Sequence, residues 1–181
     1  MQDQMTTREK LRLQAKRQFW TRGYSSVSVR QIAKAAGVDV ALISRYFGGK
    51  RGIFEATIED AFNVFDEPPR TEQDLIDLFV TMFKDAPRSD ADPSAVRMLL
   101  MNAHDETVGT LVRQQYHDQF HAHLSHILVD QQRAALLMAV LFGFSVVEKS
   151  LHIEGIAPPK SPAYEAQLRY MIDAALTFAP A

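Results

Sequence analysis

Cysteine is absent from all 181 residues. A disulfide framework and a thiolate zinc site are both excluded. No apolar run reaches membrane length. The longest, Ala134 to Val147, is interrupted by Ser145 and falls short of the ~18 residues that mark a spanning helix. The start, MQDQMTTREK, is polar and lacks the apolar core of a secretory signal. No strand-like alternation, internal repeat or low-complexity tract stands out. No His-Glu-x-x-His pattern occurs, so a helical zinc protease is not expected. What remains is an all-α protein, expected to be cytoplasmic, without a membrane partner and without an implied cofactor.

Nearly half of the residues, 46%, are hydrophobic, enough to build a globular core. The net charge of −2 conceals a split. Residues 1–55 hold eleven Lys/Arg and four Asp/Glu, a balance of +7. Residues 56–181 hold nine and eighteen, a balance of −9. A basic head on an acidic body directs a polyanionic partner to the head alone. An ordinary solvated basic helix face would give the same charges in residues 8–17.

The stretch Ser28 to Lys50, SVRQIAKAAGVDVALISRYFGGK, adds structure to that head. Ser28 and Gln31 have capping-box spacing. Val29, Ile32 and Ala33 share one helical face. Gly37 supplies a left-handed stop, and Asp39 is placed to cap a second helix. Leu42, Ile43 and Phe47 form the stripe of that helix. Two short helices joined this way make a helix-turn-helix, whose second helix enters the DNA major groove.

The ordered series Gly23-Tyr24, Ser28-Val29-Arg30-Gln31-Ile32-Ala33, Ala36-Gly37-Val38, Tyr46-Phe47 and Gly49-Lys50 resembles the DNA-binding headpiece of the TetR family of transcriptional regulators. The resemblance covers about residues 7 to 60. It implies a three-helix head followed by a helical ligand-binding and dimerisation domain, about nine helices in all. The expected boundaries are 1–50 and 51–181. It also implies contacts to double-stranded DNA from Ser28, Val29, Arg30, Val40, Ala41, Leu42, Ser44, Tyr46 and Lys50. Arg30 carries a fork suited to guanine or phosphate. Gly48, Gly49 and Lys50 open a helix, where free amides favour an anion. The chain departs from the family at Ser44, where a tyrosine is usual. Val40 and Ala41 are poor hydrogen-bonders, which moves readout toward thymine methyls, Arg30 and DNA shape.

The remaining helices follow from periodicity. Thr6 and Glu9 open the first helix, which Gly23 ends. The fourth is expected to start near Gly49 and to carry Phe54, Ile58, Ala61, Phe62 and Phe65 on one face, up to Asp66-Glu67-Pro68-Pro69. Later helices are expected from Thr71, from Asp92-Pro93, over about 106–129, over about 131–153, and from Ser161-Pro162.

Three groups of body residues are candidate sites. Phe62, Phe65, Phe79, Met82, Phe83, Met98, Met101 and Phe120 suit an apolar pocket for a small-molecule inducer, with Asn102, His104 and Tyr116 as polar anchors. Residue by residue, plain core packing is the simpler explanation, and it is as a set that they suggest a pocket. Ala134 to Val147 is apolar on nearly every side, so it needs covering on two faces. Ala135, Ala139 and Gly143, with Leu168 and Ile172 of the last helix, resemble the family's homodimer interface. A helix buried within one chain fits the same apolarity. His117 and His121 have metal-ligand spacing, but no third ligand can be located, and no metal is assigned. The expected function is a ligand-responsive regulator, a repressor on a palindromic operator, and not an enzyme. An architectural DNA-binding protein and a metal-dependent helical enzyme are the alternatives.

Overall fold

The computed structural model describes residues 5–62, 69, 71–86, 88 and 93–179. Among them every regular element is helical. The elements are α1 (Thr7–Arg22), α2 (Val29–Ala36), α3 (Ala41–Phe47), α4 (Lys50–Ile58), α5 (Glu72–Asp85), α6 (Ala95–Asn102), α7 (Gly109–Tyr116), α8 (Ala122–Leu128), α9 (Gln131–Lys149) and α10 (Pro162–Leu176). A π-turn, His117–His121, runs α7 into α8. The two therefore form one helix by continuity, and the total is nine among the described residues.

The chain divides into two compact units that do not follow sequence order. The first is Met1–Asn63 with Arg88–His117, and the second is Val64–Pro87 with Asp118–Ala181. The sequence boundary at residue 50 instead falls on the first residue of α4.

In the first unit, α1 starts at a complete capping box, with Thr6 accepting from the Glu9 amide. It buries Leu11, Ala15, Phe19 and Trp20. Phe19, Tyr24 and Phe54 form a triangle of rings with centroids 5.2–5.6 Å apart. Such ring contacts add about 0.5–1.5 kcal/mol each beyond the area they bury. Trp20 is nearly buried and donates its indole N–H to Thr57 Oγ1 at 3.3 Å. It is a packing residue of the head.

The fourth helix is shorter than its apolar stripe implies. α4 ends at Ile58, and Phe62 is buried from the turn that follows. Phe65 lies outside the described residues. The cause is visible in the next residues. Glu59 and Asp60 place negative charge at the carbonyl end of the helix, and its last turn holds no basic residue, so the macrodipole disfavours continuation.

In the second unit, α5, α9 and α10 pack through a chain of rings. Phe83 meets Phe144 at 5.7 Å, and Phe144 meets Tyr164 at 5.4 Å. Tyr164 is fully buried, and its hydroxyl donates to Glu148 Oε2 at 2.8 Å. Arg169 bridges Asp77 at 2.7 Å and Glu165 at 2.9 Å, and Lys84 adds a 2.7 Å bond to Glu165. No described helix is long and apolar enough to cross a membrane.

Candidate nucleic-acid interface

The first unit is where the basic residues and the helix-turn-helix coincide. Ser28 caps α2, accepting from the Gln31 amide at 3.3 Å, while Gln31 Oε1 returns to the Ser28 amide at 2.8 Å. Gly37 adopts φ +68° and ends α2. Its amide bonds Lys34 O, and the Val38 amide bonds Ala33 O. These two bonds satisfy carbonyls that the helix end leaves open. Asp39 holds α3 from one residue further out than a true N-cap, accepting the Ala41 amide at 2.7 Å. The N-cap position itself is Val40, which has no side-chain bond.

α3 buries Ile43 and leaves Val40, Ala41, Ser44, Arg45 and Tyr46 exposed. Ser28 and Arg30 are also exposed, and Val29, Leu42 and Lys50 are half-buried. Val40 with Ser44, and Ala41 with Arg45, make two four-residue rows on neighbouring parts of one face.

Lys50 has company that its motif does not announce. Its ammonium lies 4.2 Å from the centre of the Tyr24 ring. Burial pulls it below its ordinary value, and the Asp105 charge pulls it back up. Asp105 itself accepts from Ser25 Oγ at 2.6 Å and from the Thr107 and Val108 amides at 2.9 and 3.1 Å. Burial raises its carboxyl, but these hydrogen bonds outweigh burial and hold it below the usual carboxylate range. Arg8 adds a further cation at this surface, 5.6 Å from the centre of the Phe47 ring. Sequence reasoning missed Arg8, because a basic residue in a basic helix carries no signal of its partner.

The geometry is matched by relatedness. Residues 12–57 match the model of bacterial regulatory proteins of the tetR family, and residues 77–176 match the tetracyclin repressor-like C-terminal domain. This protein belongs to the TetR family of transcriptional regulators. It is therefore a DNA-binding regulator rather than an enzyme. It is 37% identical over 67 residues to a probable HTH-type transcriptional regulator, YttP, of Bacillus subtilis (strain 168). That match covers 37% of this chain and 32% of YttP. A TetR-family regulator of Streptomyces coelicolor, SCO4454, superimposes with a TM-score of 0.66 over 94% of each chain at 16% identity. AmtR of Mycobacterium smegmatis does so at 0.59, covering 99% of this chain and 90% of its own, at 18% identity.

The body residues fare unevenly against their expected TetR roles. Asn102 is fully buried, and its side chain is spent on the chain itself. Oδ1 accepts the Tyr24 amide at 2.7 Å, and Nδ2 donates to Phe19 O at 3.1 Å and Met98 O at 2.9 Å. It ties α6 to the end of α1 and does not stand ready for a ligand. Met101 is 43% exposed and so is not a wall of an internal pocket. Met98 is fully buried in the first unit. Phe62 meets the ring of Tyr116 edge-on at 5.6 Å, and burial pushes the Tyr116 phenol up to about 12. In the second unit Phe79 and Phe83 are buried, Met82 is half-buried, and Phe79 meets Phe120 at 6.1 Å.

On α9, Ala135, Ala139 and Gly143 are exposed, together with Leu136 at 38%. A Cβ added at Gly143 would meet nothing within 4 Å. Leu168 and Ile172 are different. Both are fully buried inside their own unit, so a second chain cannot touch them. Periodicity marks the apolar face of α10 but does not say which chain covers it. The exposed residues of α10 are Pro162, Ala163, Ala166, Tyr170, Asp173 and Ala174. Among the described residues no three His, Asp or Glu side chains gather as a metal site. His104, His117, His123 and His126 are exposed, and His121 Nδ1 lies 3.5 Å from Ser125 Oγ.

Proposed function

We propose that this TetR-family chain is a cytoplasmic repressor that binds a palindromic operator as a homodimer and leaves it when a small apolar ligand binds. The open face of α3 on a head of balance +7 is the observation that carries the DNA placement. Residues 1–50 do the work on DNA, with Ser28, Val29, Arg30, Val40, Ala41, Leu42, Ser44, Tyr46 and Lys50 at the duplex. Residues 51–181 serve ligand and partner. The dimer is supported by α9, whose small residues Ala135, Ala139 and Gly143 stay outside while its other side fills the core. Small residues at spacing four let a second helix come close. Ala163, Ala166 and Tyr170 take the places first given to Leu168 and Ile172.

The ligand part rests on Tyr116 beside Phe62. A phenol orients an otherwise apolar molecule by donating one hydrogen bond. Release then requires that the ligand favour the DNA-free state. The test is selection of bound duplexes from a random pool by the full chain, followed by sedimentation of the complex. An inverted repeat carrying two chains is the expected result. A single non-repeated site bound by one chain would remove the dimeric operator. A thermal-shift screen of apolar compounds tests the ligand. Compounds that stabilise the wild type, do so less for Tyr116→Phe, and weaken DNA binding are expected.

A further inference from the structure

The first turn of α3 has almost nothing with which to hydrogen-bond a base. Val40 and Ala41 carry only methyl groups, and Val40 keeps 39% of its surface exposed although Ile43, three residues on, keeps 1%. Asp39, one residue before them, gives its Oδ1 to the Ala41 amide at 2.7 Å, which leaves Oδ2 as its remaining acceptor at this end of the helix. The polar members of the two rows, Ser44 and Arg45, come one turn later. A recognition helix reads base edges chiefly with its N-terminal residues, and here those residues are apolar.

We propose that Val40 and Ala41 recognise thymine methyl groups in the operator half-site, so that this regulator selects DNA by its methyls at these positions. The inference rests on the DNA-binding placement given above and names what that surface reads. The occupant is the major groove of duplex DNA, which the positive balance of residues 1–55 favours. Thymine alone among the four bases presents an apolar group in that groove, its C5-methyl. A methyl side chain set against guanine, adenine or cytosine displaces water from a ring nitrogen, carbonyl or amine and replaces none of its hydrogen bonds. Set against thymine, it covers methyl with methyl. The same two side chains therefore attract one base and reject the other three, which is selectivity by both routes. Ser44, shorter than the usual tyrosine of the family, leaves room for the helix to settle on that edge.

The experiment uses the full chain and a duplex selected from a random pool. Each thymine is replaced singly by deoxyuridine, which removes only the C5-methyl. At one or two positions in each half-site the affinity is expected to fall about fourfold, the worth of one buried methylene-sized group. Val40→Gly, at the exposed N-cap position of α3 where glycine is tolerated, keeps the fold and removes both methyls. It is expected to bind the thymine duplex more weakly and to lose sensitivity to uracil at one of those positions. Equal affinity for thymine and uracil at every position overturns the proposal. So does a Val40→Gly variant that keeps the full uracil response at every position. Selection of no duplex at all sinks the DNA placement itself, a result distinct from a selected duplex indifferent to its methyls.

Discussion

Asn102→Ala should loosen the first unit by an amount that can be worked from its three bonds. The variant leaves the Tyr24 amide buried without its acceptor, because Asn102 Oδ1 is the partner it bonds at 2.7 Å. An orphaned buried N–H costs about 1–3 kcal/mol. The two donors of Nδ2 are also lost, each worth about 1 kcal/mol net. Their acceptors suffer less. Phe19 O still receives the Gly23 amide at 3.1 Å, and Met98 O lies within α6. Alanine returns roughly half a kcal/mol through its better helix propensity. The net loss is about 3 kcal/mol. The chain has a single tryptophan, Trp20, which is nearly buried in the same unit. Urea unfolding followed by its fluorescence therefore reads this unit directly, and the midpoint should fall with the slope unchanged. A loss below about 0.5 kcal/mol, the range of ordinary surface changes, would show that Asn102 does not hold α6 to the head.

Other outcomes are equally concrete. Gly52→Ala places a Cβ 1.8 Å from the Phe47 carbonyl oxygen, so α4 must move from α3; a loss of about 1–3 kcal/mol is expected from such overpacking, read by the same fluorescence, and wild-type stability would contradict the close approach. Val129 is β-branched, 90% exposed and held at φ +53°; Val129→Gly should stabilise by about 1 kcal/mol as the left-handed strain is relieved, and a lowered melting temperature would refute the strain. Gly143→Leu meets open space in the single chain, so the fold should persist while sedimentation shows monomers; an intact dimer would exclude this face. Asp105, held below the ordinary carboxylate value, contributes stability that is present above about pH 3.9, its unfolded value, and is lost as pH falls through the folded one. The gap between wild type and Asp105→Asn should therefore be widest near neutral pH and close in acid, and a gap independent of pH would exclude the carboxylate's role.

The head was legible because its signals are local. Ser28 with Gln31, Gly37 and the Leu42-Ile43-Phe47 stripe each speak within one turn of helix, and both caps of α2 form as the spacing requires, while the cap of α3 falls one residue later than Asp39. The body was legible only as helices. Asn102 was expected as a polar anchor of the pocket, but its partners lie 78 and 83 residues away, and no periodicity records such a distance. Leu168 and Ile172 failed for a related reason, since an apolar stripe is the same whether its own chain or another covers it. Gly52 offered a faint signal, a glycine early in a helix, which marks either flexibility or a close neighbour. The structure identifies the neighbour as the Phe47 carbonyl.

The central claim is that Ser28 to Lys50 carries this regulator into the major groove as one half of a two-fold pair. Hydroxyl-radical footprinting of the full chain on a selected duplex tests it most directly. Two protected patches on one face of the duplex, with half-site centres about 34–36 Å apart, and their loss together in an Arg30→Ala, Ser44→Ala double variant, are the expected result. A single patch, or protection that survives in the double variant at full strength, would contradict it.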